Sequence, residues 1–556
     1  MEFFGLHYAI WIVLALYFVA MLLMGWWSRR GTHSQEGYLL GNRRFGWPMM
    51  VMHAFGAGTH PGNVAGVMSE AVVSGASGIW VFWMWLLGTP FYWIIAPIVR
   101  RMRCLTLADF FEQRFSKSAS VLYIIVASVG MIVFLAGVLL ATTRTVQGMM
   151  GKAEVQESKV WFFGILLVMT AVFIIYSYWG GIIAAIRTDM IQGLMIIALS
   201  FIAIPAALHL KQVGGLAGMR ATLAAQDANY LSLFDPKRFN LLTVLLLCIN
   251  APLTALAFPH LISVCAAGRT EWEGRVGFTY GNVLKRICTI GWAVLGLCWL
   301  AYLVNTGSTI HKDTAFGDSI HTLLPPLLQG VMLACVMAAA MSSGDAVQVT
   351  VAGLFSQNLY RVYINQKADE KQLVRMTRMV GVVIALLSLV GAILMRSSLV
   401  KAILDYFNIL SLVGISTAMG ILWRRMNTTG MFSSTIAAVV TFILTRYVIE
   451  YTSQMRAITI GLPILAGVLG GVVGSFLTKP PDAKRLEKFF RKIYVPIGQE
   501  EQLDLPIEMA VPQSKHWLTA GGLFIVKPSR QSWVGFLVTL GICLACILVM
   551  LAILKL

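Results

Sequence analysis

Apolar residues run through this chain in long blocks, and the short connections between them carry most of the charge. Blocks of about 20 residues cross the ~30 Å hydrocarbon core of a bilayer as helices, because a helix satisfies every backbone N–H and C=O within itself. They lie near residues 8–27, 47–72, 78–99, 121–149, 160–180, 184–208, 241–265, 283–305, 324–357, 374–395, 401–423, 429–450, 457–477 and 533–554. The pattern predicts an all-α integral membrane protein with about fourteen transmembrane helices. The first block is too long for a signal-peptide core and lacks a small-residue cleavage site, so it is read as a span.

Two blocks are interrupted. The second contains Gly56, Gly58, Pro61 and Gly62, and the seventh contains Asn250, Pro252 and Pro259. Such residues free backbone carbonyls and amides that protein, water or an ion must then satisfy; plain proline kinks are the alternative. The breaks hold corresponding places if spans two to six form one unit and spans seven to eleven another. An odd number of helices makes the two units enter the membrane from opposite sides. Inverted repeats with an interrupted first helix point to secondary transporters that bind at the bilayer midplane. The boundaries expected on this basis are 1–45 for a leading helix and loop, 46–210 and 240–423 for two five-helix repeats, 424–478 for two accessory helices, 479–532 for a linker and 533–556 for the last helix.

Composition agrees with the pattern: 58% of residues are hydrophobic and 12% charged, which excludes a soluble protein. The net charge of +18 is split among many short loops instead of forming one stripe, so it predicts no nucleic-acid partner. Arg29, Arg30, Arg43, Arg44, Arg100, Arg101, Arg103, Arg361, Lys371 and Lys484 all fall on odd-numbered connections. That bias places the N-terminus outside a plasma or inner membrane, with the bilayer as a permanent partner. Cys543 and Cys546 are spaced CxxC, but with no second pair on a spanning helix they read as packing. The histidines form no HExxH motif, and there is no Walker loop, dinucleotide fingerprint or nucleophile–base pair, so an enzyme is not expected. Residues 483–494, AKRLEKFFRKIY, suit a short amphipathic helix at the membrane surface within an otherwise solvated linker.

The ninth block contains Ala340-Met341-Ser342-Ser343-Gly344-Asp345-Ala346, which sets adjacent hydroxyls and a carboxylate where polar groups are expensive. Hard oxygens at this spacing suit a cation such as sodium. Serines that bond back to carbonyls of their own helix are the plainer reading.

Four segments carry a resemblance: YLLGNRRFGWP (38–48), LTLADFFEQRF (105–115), YSYWGGIIAAIRTDMIQG (176–193) and LLPPLLQGVMLACVMAAAMSSGDA (323–346). In order and spacing, from about residue 8 to 430, the chain resembles the sodium:solute symporter family. That family includes sodium/glucose, sodium/proline and sodium/sialic acid transporters. The resemblance implies a leucine-transporter-like fold, a 5+5 inverted repeat with one leading and three trailing helices. It further implies sodium-coupled uptake of an organic solute by alternating access. By the same resemblance Na+ would be held by the carbonyls of Gly56, Thr59 and Ala339 with the hydroxyls of Ser342 and Ser343. Asp189 matches a family motif and would guide the ion to the cytoplasm, or else serve as a salt-bridge or helix N-terminal partner. A second family site would need hydroxyls where this chain has Asp345 and Ala346, so a hydroxyl is missing and no second ion is assigned; Asp345 is placed beside the ion path.

The solute pocket of that fold is lined by the breaks and neighbouring helices, which makes His60, Asn63, Trp80, Trp83, Asn250, Thr254 and Asn408 its candidates. Trp80 serves equally as part of an outer aromatic belt. Arg144, late in the fourth span, is a carboxylate or gate candidate whose stem also reaches water, and Asp405 is its expected partner. The expected function is sodium-coupled import of a small polar organic solute, of the sugar or organic acid class. Proton coupling through Asp189 or Asp345 and a transport-inactive membrane sensor are the alternatives.

Overall fold

The computed structural model describes residues 2–3, 5–28, 35–152, 154–155, 158–179, 182–309, 311–448, 456–511 and 516–555, and these are mostly helical. Arg29 and Arg30 of the first loop, with Gly180 and Gly181 of the motif at 176–193, lie outside the described residues. The helices used below are α1 (Tyr8–Ser28), α2 (Trp47–Ala57), α3 (Pro61–Ser74), α4 (Thr89–Arg101), α5 (Leu107–Arg114), α6 (Lys117–Met149), α7 (Lys159–Trp179), α8 (Ile182–Phe201) and α9 (Leu241–Ala257). They continue as α10 (Leu261–Ala266), α11 (Glu271–Thr306), α12 (Pro326–Gly353), α13 (Glu370–Leu394), α14 (Leu399–Leu422), α15 (Thr428–Ile443), α16 (Arg456–Phe476), α17 (Ala483–Tyr494) and α18 (Arg530–Lys555). Among the described residues, 10 helices are long and apolar enough to cross a membrane. Three further apolar stretches, Tyr8–Met21, Lys159–Ile175 and Leu241–Ala257, are shorter as far as their residues are described.

Both interrupted blocks are broken. Pro61 and Pro259 lack a donor and push the residue before them out of the helical region. His60 is accordingly extended (φ −120°, ψ 166°) between α2 and α3, and Phe258 is extended (φ −61°, ψ 123°) between α9 and α10. Helix α11 packs on α2, α3, α4 and α10, and this group faces a second one made of α6, α7, α12 and α13. Helix α8 bridges α2 to α12, and α14 bridges α6 to α9. The ion-site candidates therefore sit where α2 meets α8 and α12, and Asn250, Thr254 and Asn408 sit where α9 meets α14.

Beyond this nucleus, α15 and α16 approach closely through small residues: an added Cβ on Gly470 would lie 2.7 Å from the Ser433 carbonyl, and one on Gly474 2.5 Å from Ser433 Oγ. Of the eight cysteines, seven are buried and Cys248 is half-buried; none forms a disulfide.

The expected solvated linker is instead bound to the helices. Phe489, Phe490 and Ile493 of α17 are buried beside α4 and α5. Arg101 makes a two-pronged pair with Glu271, at 2.8 Å for each bond, and the Ile497 N–H donates to the same carboxylate. Arg103 donates to the carbonyls of Lys492, Val495 and Pro496 and to Glu500. The Gly498 N–H and that guanidinium hold the Glu500 carboxyl below the ordinary range. Further on, Trp423 donates to the Gly521 carbonyl and the Arg424 N–H to that of Gly522. A charged, proline-bearing composition gave no sign of these contacts, because they are made by arginine forks to bare carbonyls.

Candidate functional site

The end of α2 supplies the first oxygens. The Thr59 N–H reaches the Gly56 carbonyl at 3.0 Å, the Thr59 hydroxyl donates to Phe55, and the Ser343 hydroxyl of α12 donates to the Gly56 carbonyl at 3.2 Å. Gly56 is a close-approach position: a Cβ there would lie 2.6 Å from Ser342 Oγ and 3.3 Å from Asp189 Oδ1. Ala339 is buried one turn before the serine pair on α12. Thus Gly56, Ser342 and Ser343 come together at the break, with Thr59 and Ala339 on the adjoining turns.

Asp189 of α8 closes this cluster. It is buried, accepts the Ser342 hydroxyl, and its second oxygen accepts His53 Nδ1 at 2.7 Å. His53, fully buried on α2, was not among the sequence candidates. Its one signal was position, a histidine three residues before Gly56 and so on the same helical face. Asp345 is buried three residues beyond Ser342.

A cavity of about 60 Å³ lies on the α10 and α11 side of the break. A cavity of this size holds only a few waters, so a larger guest needs its side chains to move. Its polar lining includes Asn63, His260, Asn282, Lys285, Arg286 and Tyr406, and among the described residues no Asp or Glu lines it. Lys285 is buried, and its ammonium lies against Gly58, where a Cβ would collide with Nζ. No carboxylate pairs with Lys285 among the described residues. Arg286 is committed to protein, donating to Thr89 Oγ1 at 3.2 Å and the Phe82 carbonyl at 3.4 Å. Asn63 Oδ1 and His260 Nδ1 are buried without a hydrogen-bond partner. Sequence reasoning missed Lys285, although a Lys-Arg pair in an apolar helix was the available signal.

The other solute candidates are placed as follows. His60 sits at the break, 3.3 Å from the Tyr406 hydroxyl and edge-on to Phe134, and Asn63 reaches the cavity. Trp80 donates to the Leu233 carbonyl at 2.7 Å and Trp83 to the Arg286 carbonyl at 3.2 Å, so both indoles fasten helices. Asn250 donates to Asn408 at 3.1 Å, and Thr254 donates to the carbonyls of Asn250 and Phe407, which ties α9 to α14.

The expected Arg144–Asp405 pair is not formed. Asp405 makes a buried two-pronged pair with Arg446 at 2.8 and 2.9 Å, because the π-helical segment Leu444–Val448 that follows α15 brings that guanidinium to its side. Arg144 instead donates to Gln147 Oε1 and the Arg396 carbonyl, with its guanidinium 5.0 Å above the Phe162 ring. Asp313 lies near it; burial raises that carboxyl above its ordinary range, against the pull of Lys312 and Arg144.

Comparison with known proteins follows the geometry. A model of the sodium:solute symporter family matches residues 38–438. The osmoregulated proline transporter of Bacillus subtilis is 27% identical over 490 residues, covering 84% of this chain and 95% of the relative. The sodium/proline symporter of Salmonella typhimurium is 25% identical over 504 residues, covering 86% and 95%. Among solved structures, a substrate-bound, outward-open Na+-coupled sialic acid symporter matches with a TM-score of 0.71 at 19% identity, over 85% of this chain and 98% of that one. Mhp1, a nucleobase-cation-symport-1 family transporter in a closed conformation, matches with a TM-score of 0.50 at 11% identity, over 83% and 99%. The fold is the leucine-transporter-like one.

Proposed function

The chain belongs to the sodium:solute symporter family, and on that premise we propose that it carries a small carboxylate-bearing organic solute inward together with sodium. It is a multi-pass membrane transporter and not an enzyme. The loops rich in Lys and Arg face the cytoplasm in this reading, with the N-terminus outside the plasma or inner membrane.

Sodium is cargo, held by the carbonyls of Gly56, Thr59 and Ala339 and the hydroxyls of Ser342 and Ser343. Support for this set comes from the Ser343 hydroxyl, which already reaches the Gly56 carbonyl at 3.2 Å. Asp189 takes the Ser342 hydroxyl when the ion leaves, and its carboxylate then gives the ion a stop on the way to the cytoplasm. Asp345 belongs to that path, one turn further along α12.

One observation carries the solute class: a buried Lys285 amine without a carboxylate partner among the described residues, at the edge of a cavity whose described lining has no acidic residue. An isolated cation in a low-dielectric site is costly until an anion joins it. A solute carboxylate supplies that anion, and Asn63 and Asn282 orient the remainder. Proline and sialic acid, named for the relatives, both contain a carboxylate. A sugar would leave the charge uncompensated.

The test is uptake into proteoliposomes with an inward sodium gradient, offered carboxylates, their neutral amides and sugars. A carboxylate is expected to accumulate while its amide does not, and Lys285→Met is expected to cut uptake at least tenfold, about 1.4 kcal/mol. Sugar uptake that survives Lys285→Met would sink this reading. A second reading rests on the His53–Asp189 bond, which places an imidazole beside the ion path. Uptake that persists without sodium and follows an imposed pH gradient would establish proton coupling instead.

A further inference from the structure

We propose that the protein holds the headgroup of an anionic phospholipid in a cavity on its Arg-rich face, between α4, the start of α11, the segment following α17 and the start of α18. The cavity is about 460 Å³. Its walls divide by chemistry: Ile94, Pro97, Ile98 and Val511 form an apolar side, and Arg101, Arg275 and Lys527 a cationic one, with no Asp or Glu in the lining among the described residues.

Arg275 is the anchor. It is buried at 7% exposure, its Nε has no hydrogen-bond partner among the described residues, and its guanidinium stands 5.4 Å over the Trp93 ring. The nearby carboxylate, Glu271, gives its hydrogen bonds to both prongs of Arg101 and to the Ile497 N–H, and offers Arg275 only a longer-range attraction. A guanidinium in this state lacks an acceptor of the kind that phosphate oxygens supply. Lys527 adds an exposed second charge at the rim. The first turn of the 26-residue α18 begins at the same cavity, with Ser529 and Ser532 in its wall and its N–H groups at the positive end of the helix.

The location selects a lipid over a soluble anion. Trp272 and Trp533 are partly exposed beside Trp93 and Phe536, which is the aromatic pattern of a membrane–water boundary. Phe91 of α4 and Val534, Leu537 and Val538 of α18 are exposed apolar residues on the adjoining helices, ready for acyl chains. Basic pockets between spanning helices on the positive face are suited to such headgroups.

The experiment titrates delipidated full-length protein in detergent with dioctanoyl phosphatidylglycerol, dioctanoyl phosphatidylcholine and inorganic phosphate, and reads tryptophan fluorescence and native mass spectra. Phosphatidylglycerol is expected to bind at least tenfold more tightly than phosphatidylcholine. Arg275→Gln with Lys527→Gln removes that preference, and Arg275→Lys retains most of it. Lys527→Gln alone, at an exposed site that folding does not need, weakens phosphatidylglycerol binding about threefold. Equal binding of the two lipids, an unchanged preference in the folded double variant, or competition by inorganic phosphate at the same concentration as the lipid overturns the proposal.

Discussion

A methyl group at position 56 is the smallest change that probes the ion site. Its carbon would lie 2.6 Å from Ser342 Oγ, inside contact distance, so Gly56→Ala must displace the Ser342 hydroxyl and with it the arrangement of oxygens. The half-saturating sodium concentration for uptake is expected to rise at least tenfold, while the helical content by circular dichroism stays the same. The Asp405–Arg446 pair makes a separate residue-scale prediction, because one buried charge left alone costs about 3–5 kcal/mol. Asp405→Ala should lower the melting temperature in detergent strongly, and Asp405→Leu with Arg446→Met should restore most of it. Ser342 and Ser343 were legible because adjacent hydroxyls stand out in an apolar block. Lys285 was not, because the eighth block was begun at residue 283, where a Lys-Arg pair looks like a helix end. The helix begins at Glu271, so Lys285 lies about 21 Å deeper at 1.5 Å per residue.

At the scale of elements, what proline and glycine dictate was readable and what arginine fastens was not. The two breaks follow from Pro61 and Pro259, whose missing donors no packing can restore. The true start of α11 carried a sign too: Thr270 and Glu273 form a capping box, with the carboxylate returning to the Thr270 N–H at 2.9 Å. The α15–α16 pair rests on small residues, since helices in lipid gain association from close backbone contact. Gly470→Leu or Gly474→Leu forces these helices apart, and each is expected to lower the melting temperature by several degrees. Sodium affinity should be unaltered, because neither glycine touches α2, α8 or α12.

For the whole molecule, the helical class was legible from block lengths, the two breaks from their prolines and the family from four motif segments, whereas the clamp around Glu271 depends on contacts between residues far apart in sequence. Charge balance gives the largest-scale prediction. A carboxylate monoanion moving with one sodium carries no net charge, so a membrane potential does no work on it. A zwitterion with one sodium would gain about 2.3 kcal/mol per 100 mV. Uptake driven by a fixed sodium gradient is therefore expected to be unaffected by a potassium–valinomycin potential, and a strong acceleration would show a zwitterionic solute or a second ion.

With seven of its eight thiols buried and Cys248 half-buried, the protein is expected to react little with water-soluble maleimides once Cys248 is replaced by Ser. A single reporter cysteine placed beside the cavity can be read against that quiet background without first stripping the buried ones, and its labelling rate in each ion would time the opening of the pathway to either side.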